Sequence, residues 1–474
     1  MEKDFRIEFI ITKGGLAADV RIVPTGEEIP ALNTEDLLAA LQAEGITYGI
    51  LPEVVEQIVR EKITGTWATI ARGTEPSQGR DGYVKFSFST EGPRARLQED
   101  ASGRVNIRDL NLIQNVKKGD TLCEVIPPEM GASGMTVKGE EIPGKPGAPS
   151  KLPPGQNVTL SADHSRLFSA LDGMVTWVDN TIIVDPVYVV DTVDANVGNI
   201  RFNGSVVVNG EVGDGYEIHA GENITIAMSV GRVVLNAKGN IRIAGGILGQ
   251  DTGTITAEGN IRVRFIQDAQ VKAGGGILVD DYIRNSVVSA EGPVAVKNQN
   301  GWIDTSSVSS ERWIYCPTIG YETSAATTNL SIGHSPVLNK ERSRLKDEII
   351  RKVDDFLKLQ SSLSKLRTLK AMGQMNQQQE NLYNKILDTI ESIGATLAQH
   401  ESQIMDITEK INKTYAGNIY IEGIINEGTS VDIGPLSRKI THARATVHFS
   451  LQEKEMVESE FVMIPEIRKF LESD

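Results

Sequence analysis

Between Val206 and Ile314, branched apolar residues alternate with polar ones in short bursts, and each burst is introduced by the same phrase. A small residue comes first, then a polar or glycine pair, then Asn or a stand-in, then the branched alternation. It reads AGENITI from Ala220, AKGNIRI from Ala237, AEGNIRV from Ala257, AGGGILV from Ala273 and AEGPVAV from Ala290. The first branched residues, Ile224, Ile241, Ile261, Ile277 and Val294, stand 17, 20, 16 and 17 residues apart, and Val206 precedes them by 18. A recurring period of this size marks the coils of a solenoid. Three strands of about four residues at roughly 3.3 Å per residue, with their turns, use up one period, so one repeat is one turn of a parallel β-helix. Alternation sends Ile241 and Ile243 inward and Asn240 and Arg242 outward. Asn223, Asn240 and Asn260 share one repeat position, which predicts a structural asparagine ladder rather than a binding row. Rungs of 16 and 20 residues argue for a loose, right-handed coil.

The flanking regions have other periods. Phe5–Thr12 and Ala17–Val23 read as a hairpin, Thr34 with Leu37, Leu38 and Leu41 as a capped amphipathic helix, and Pro52–Lys62 as a second helix. After Trp67 the chain becomes glycine-rich and β-like, with Tyr83, Phe86 and Phe88 in one strand and Pro127, Pro128, Gly131 and Gly134 marking turns. Beyond Gly333 the period becomes helical. Leu345, Ile349, Val353, Phe356, Leu363 and Leu366 define one apolar stripe between Leu338 and Met372. Leu382, Ile386, Ile390, Ile393, Leu397, His400, Ile404, Ile407 and Ile411 step by fours and threes along a second. Gly373–Gln379 separates them and is short enough to force an antiparallel pair. The phrase then returns as GNIYIEG at Gly417–Gly423, so the helices interrupt the β-helix rather than follow it. The expected fold is mainly β: a right-handed parallel β-helix interrupted by an antiparallel α-helical coiled-coil hairpin, with N-terminal α/β and β modules. The expected parts are 1–66 (α/β module), 67–185 (glycine-rich β module), 186–336 with 417–450 (β-helix), 337–416 (inserted hairpin) and 451–474. In this last part, a helix-like stretch over Glu453–Leu471 would cap the open end.

Charge and chemistry narrow the function. Among 474 residues, 63 Asp and Glu outnumber 48 Lys and Arg, a net charge of −15 that disfavours phosphate-tracking nucleic-acid binding and anionic lipid. The start, MEKDFRIEFI, has charges where a signal peptide has an apolar core, and no apolar run reaches membrane-spanning length, so the expected location is the cytoplasm. Cys123 and Cys316 are far apart and form neither a disulfide framework nor a CxxC site. The six histidines, His164, His219, His334, His400, His442 and His448, show no ligand-like grouping; His442 and His448 flank a strand on one face without a third ligand. Gly210–Gly215 and Gly245–Gly246 lack the context of a phosphate loop and read as turns. Asp280-Asp281 and Asp191 with Asp194 fall at different rung positions and read as solvated turns, not as paired catalytic carboxylates. A hexapeptide-type acyltransferase would share the coil length and offer His334 as base, but its six-residue pattern is missing. No catalytic residue, metal site or cofactor is expected. The turn Val116–Leu122 resembles one in biotinyl- and lipoyl-carrier domains, without their modified-lysine motif.

Read as a whole, the chain resembles the flagellar assembly protein A family of bacteria. The residues that carry the resemblance are Gly45-Ile46-Thr47-Tyr48-Gly49-Ile50, Ile70-Ala71-Arg72-Gly73 with Pro76, Gly79, Asp81 and Gly82, the Val116–Leu122 turn, and Pro128 with Gly131, Gly134, Thr136, Val137 and Gly139. The stretch Gly204–Ile224 is also similar to the β-helix of the septum-site inhibitor of bacterial cell division, and bactofilin-type polymers share the general coil. The resemblance implies a non-enzymatic protein at the cell pole whose partners are proteins of flagellar assembly or cell-pole organisation. Two modes of action follow. One is an adaptor whose N-terminal modules, or whose hairpin tip with Met372, Gln374 and Met375, contact a partner. The other is a self-assembling scaffold that polymerises through its rungs, a homo-oligomer in either case being compatible with the sequence.

Overall fold

The structure, a computed structural model, describes residues 5–12, 14–26, 32–92, 106–321, 327–333 and 336–473, the side chains of 336 and 337 excepted. The chain divides into two units.

The first unit comprises residues 1–92, 117–171 and 176–184. Strands Phe5–Ile11, Ala17–Pro24 and Ala68–Arg72 form an antiparallel sheet in that order. Helices α1 (Thr34–Ala43) and α2 (Pro52–Arg60) cover it, burying Leu37, Leu41, Val55 and Ile58 against Val20, Ile22 and Ile70. The cap of α1 is Asn33, one residue earlier than expected: its side chain accepts the Asp36 backbone N–H at 2.7 Å, a role either residue type can fill. A four-stranded antiparallel sheet follows, built from Val158–Leu160, Arg166–Ser169, Thr121–Ile126 and Tyr83–Phe86. Phe88 falls outside the strand that Tyr83 and Phe86 occupy, and meets Phe86 edge-on at 5.6 Å. The Lys117–Asp120 turn is closed by the Lys117 backbone N–H donating to Asp120 Oδ2 at 2.7 Å.

The second unit is a β-solenoid of about eight turns carrying two long helices. The repeat phrase dictates its register. Val206 pairs with Ile224, Ile224 with Ile241, Ile241 with Ile261, Ile261 with Ile277 and Ile277 with Val294, all in parallel strands. Each phrase therefore sits directly over the one before it, as the spacing predicts. The small residue that opens the phrase stacks as well: Ala220, Ala237, Ala257, Ala273 and Ala290 form one buried column, continued by Ser310. Ser310 fits there because its hydroxyl donates to the Gly292 carbonyl at 2.8 Å.

The asparagine ladder is present, and its bonds run from backbone to side chain. Asn223 Oδ1 accepts the N–H of Asn240 at 2.8 Å, Asn240 Oδ1 that of Asn260 at 2.8 Å, and Asn260 Oδ1 that of Gly276 at 2.7 Å. Each amide thus satisfies a turn donor of the next rung that no strand could reach. A second column was not anticipated. Phe265, Tyr282 and Trp302 stack face to face on successive rungs, with centroids 5.0 and 4.7 Å apart, and Tyr321 meets Trp302 edge-on. Gly246 precedes this column because a Cβ there would lie 2.2 Å from Phe265 Cζ.

The chain leaves the solenoid after Asn329–Ile332, runs through α3 (Pro336–Ala371) and α4 (Gln377–Thr414), and returns as Asn418–Ile425 in register on Trp313–Ile319. Ser430–Ile433 then completes the rung on Asn329–Ile332. From there the direction reverses. Arg444–Gln452 lies antiparallel on Asn418–Ile425, and Glu455–Glu460 antiparallel on Arg444–Gln452. The expected helix over Glu453–Leu471 is therefore a strand followed by a short helix, α5 (Pro465–Leu471). The β-branched Val457 beside Met456 in a short stretch ending at Glu460, and Pro465 at a helix start, account for the split.

Candidate interaction site

Two surfaces of the solenoid unit gather exposed or unexpected apolar residues: the outer face of the late rungs, and the helical hairpin.

Outward positions of the first face change character along the solenoid. Thr225, Arg242 and Arg262 are polar, whereas the equivalent Leu278, Ala295, Tyr315 and Tyr420 are not. The C-terminal segment covers the apolar ones. Phe461 and Ile467 are buried against them, with Met463, Ile464, Phe470 and Leu471 packed around the patch. Phe470 meets the Trp313 ring edge-on at 5.4 Å, the Trp313 indole N–H donates to Glu466 Oε1 at 3.3 Å, and Arg262 donates to the Ser473 carbonyl at 2.8 Å. Residues 461–473 thus clasp the side of the solenoid. The loss of outward polarity from Leu278 onward is the sequence signal that announced this.

The hairpin has a continuous seam. Leu363 and Leu366 of α3 pack against Ile386 of α4, and Leu345 of α3 and Ile393 and Ile411 of α4 are buried as well. The antiparallel pairing is registered by Glu348 of α3 lying 3.7 Å from His400 of α4. His400 Nδ1 is buried with no partner among the described residues, the cost of a polar group at a seam position. Val353, expected in the seam, lies beside it and is 40 % exposed. The strict four-three spacing from Ile349 to Phe356 assigns that place to Lys352, whose stem is half-buried. α4 begins at Gln377, inside the expected break Gly373–Gln379, because Asn376 and Gln379 form a reciprocal capping box. The Asn-x-x-Gln spacing was the available signal.

The tip residues named from the sequence lie together in the turn between the helices. Met372 is 63 % exposed, Gln374 is exposed and Met375 is half-buried.

The other candidate groups have structural partners. His448 stacks on Tyr420 at 4.7 Å, with Nε2 2.8 Å from Asn418 Oδ1 and Nδ1 3.1 Å from Ser459 Oγ; its burial lowers its pKa. His442 Nδ1 contacts Thr441 Oγ1. His219 lies against Glu217. Asp281 accepts from Arg264 at 2.9 Å, and Asp194 caps its own turn through the Asn196 N–H at 2.8 Å. Cys123 and Cys316 are buried free thiols, each raised in pKa by desolvation. His334 lies outside the described residues. Among the described residues no three His, Cys, Asp or Glu side chains come together as a metal site, and no helix is long and apolar enough to cross a membrane.

Comparison with known proteins agrees with this architecture. The pattern of the Flagellar Assembly Protein A N-terminal region matches residues 7–180, and that of the Flagellar Assembly Protein A beta solenoid domain matches residues 186–456. No curated protein and no solved structure matches the chain. Together the two patterns span both the N-terminal modules and the solenoid with its inserted hairpin, and on that ground the chain belongs to the flagellar assembly protein A family.

Proposed function

We propose that this protein is a non-catalytic adaptor of flagellar assembly, held in the cytoplasm at the cell pole, that presents its helical hairpin to protein partners. Family membership suggests the flagellar assembly role, and the family is not a known enzyme family. The observation that carries the adaptor reading is the hairpin itself. Helices of 36 and 38 residues are inserted between two rungs that stack in register without them, so the solenoid does not need them to continue. At about 1.5 Å per residue they extend roughly 54 Å to a turn holding Met372, Gln374 and Met375. Exposed methionines adapt to partner surfaces at little conformational cost, which suits a docking tip.

The polymerising scaffold finds less support. The final rung is closed by antiparallel strands, and the outermost of them, Glu455–Glu460, carries Glu455, Glu458 and Glu460. Acidic residues on an edge strand oppose end-to-end pairing.

The test is a photo-crosslinking residue at Met372, compared in cells with a variant lacking Gly373–Gln379. The expected result is crosslinks to flagellar or polar proteins, with the same proteins missing from pull-downs of the deletion variant. Retention of every partner by the deletion variant rejects the tip as the contact.

A further inference from the structure

The hairpin has a second apolar side that nothing among the described residues covers. In an antiparallel helix pair, positions one residue after each seam position lie on the same side of both helices, and positions one residue before lie on the other. On the "before" side every residue is polar: Arg344, Glu348, Arg351 and Asp355 of α3 face Thr389, Ser392, Thr396, Gln399 and Gln403 of α4. The "after" side is different. α3 presents Ile350 and Leu357, 66 % and 56 % exposed, with Val353 between them. Level with Ile350 and Val353, α4 presents Ala398 and Gly394, both exposed; Leu357 is level with Glu391, and Met405, 72 % exposed, lies beyond the Ile350 end of the strip. Two branched side chains on one helix thus stand beside a shallow strip on the other.

Gly394 adds an independent clue. Glycine weakens a helix interior, and nothing among the described residues rewards it: a Cβ at Gly394 meets none of their atoms within 4 Å. A residue made small where its own chain leaves open space suits close approach from outside.

We infer that this side of the hairpin is the self-association surface of the protein, and that its occupant is the same side of a second copy's hairpin. A twofold axis parallel to the helices lays α3 of one copy over α4 of the other at unchanged height, forming a four-helix bundle. Heights follow from Glu348 lying beside His400. Ile350 then rests on the second copy's Ala398, and Val353 on its Gly394. The charges agree with the same alignment. At the two ends of the strip α3 contributes Lys346 and Arg367, whereas α4 contributes Glu401 and Glu380 at the matching heights. The twofold therefore brings unlike charges together twice at each end, and lays Ile350 and Val353 over small residues between them. The alternative twofold, perpendicular to the helices, sets α3 on α3 and loses both matches. Pairing through this side leaves the tip turn free, so it is separable from partner docking there.

The experiment is sedimentation velocity on the full-length chain over a concentration series, with far-UV circular dichroism to confirm folding. The wild type is expected to be a dimer. Gly394→Glu, which meets open space within its own protomer, and Ile350→Glu are each expected to weaken dimerisation at least tenfold with helicity intact. Thr396→Glu, on the polar side, is expected to leave the dimer unchanged. Glu401→Lys is expected to weaken it and Lys346→Glu in the same chain to restore it. A wild type that stays monomeric at tens of micromolar overturns the inference and leaves the strip to a different protein. A dimer that survives both Gly394→Glu and Ile350→Glu overturns it equally, and places self-association on the solenoid.

Discussion

The solenoid and the hairpin share one unit but hold their apolar residues in opposite ways. In the solenoid an inward residue is enclosed by the two other faces of its own turn and by the rungs above and below, so Ile224, Ile241, Ile261 and Ile277 are almost wholly buried. In the hairpin each helix has one neighbour, and only the residues aimed along the seam are shielded; Ile350 and Leu357 stay in water. Repetition in one dimension closes a core without a second layer, whereas a two-helix layer leaves half of each helix without a partner. A rung is complete in itself, and an isolated pair of helices is an invitation to further association.

This contrast is breakable from the solenoid side first. Ile277→Ala removes a side chain at 0 % exposure from the middle of the stack, between Ile261 and Val294. A loss of about 2–5 kcal/mol is expected, the range for an unrelaxed core cavity, read by denaturant unfolding followed through the solenoid tryptophans. A loss below about 1 kcal/mol would mean that the rungs shift to fill space and that the stack is not close-packed.

The hairpin should respond with the opposite sign. His400→Leu replaces a seam side chain whose Nδ1 is buried without a partner, and a gain of about 1 kcal/mol in hairpin stability is expected from thermal melting of the helical signal. A destabilised hairpin would show instead that the Glu348 contact at 3.7 Å holds the register.

The smallest effect sharpens the boundary between parallel rungs and the closing antiparallel strands. Burial lowers the pKa of His448 below its ordinary 6.5, so the unfolded chain takes up the proton more readily than the folded one. The contribution of the neutral ring is present above the unfolded value and lost as pH falls toward the folded one. Between pH ~7.5 and ~5 the wild-type unfolding midpoint should fall more than that of His448→Gln. Equal slopes would show that His448 is not coupled to this part of the fold.

Much of this was written in the order of apolar residues. The parallel stack was legible because each phrase pairs with the next at its first branched residue, and the return of that phrase at Gly417 exposed the insertion. What escaped had a different physical origin. The aromatic column of Phe265, Tyr282 and Trp302 arises from rungs of unequal length, so its members share no fixed spacing with the phrase. The C-terminal clasp joins residues near position 278 to residues near 467, a contact no local period encodes, although the apolar turn of Leu278, Tyr315 and Tyr420 marked one partner. Val353 was assigned to the seam because it is apolar, while the three-four spacing alone gave the place to Lys352. At the tip, sequence reasoning found the turn and its exposed methionine; the second side of the hairpin needed a register between the helices, which only Glu348 and His400 in space provide.

The insertion point also bears on how the chain finds its structure. The last rung joins Ile319 and Ile332 to partners at Ile425 and Ile433, across the 83 residues between Gly333 and Gly417. Were that stretch slack, bringing its ends together would cost about 4 kcal/mol beyond a constant. Two helices that zip from a tight, capped turn convert it into a short stiff connector, and the ends arrive side by side. The final coil is therefore seated at a closure cost set by a hairpin whose two ends already stand side by side, and not by the number of residues it contains.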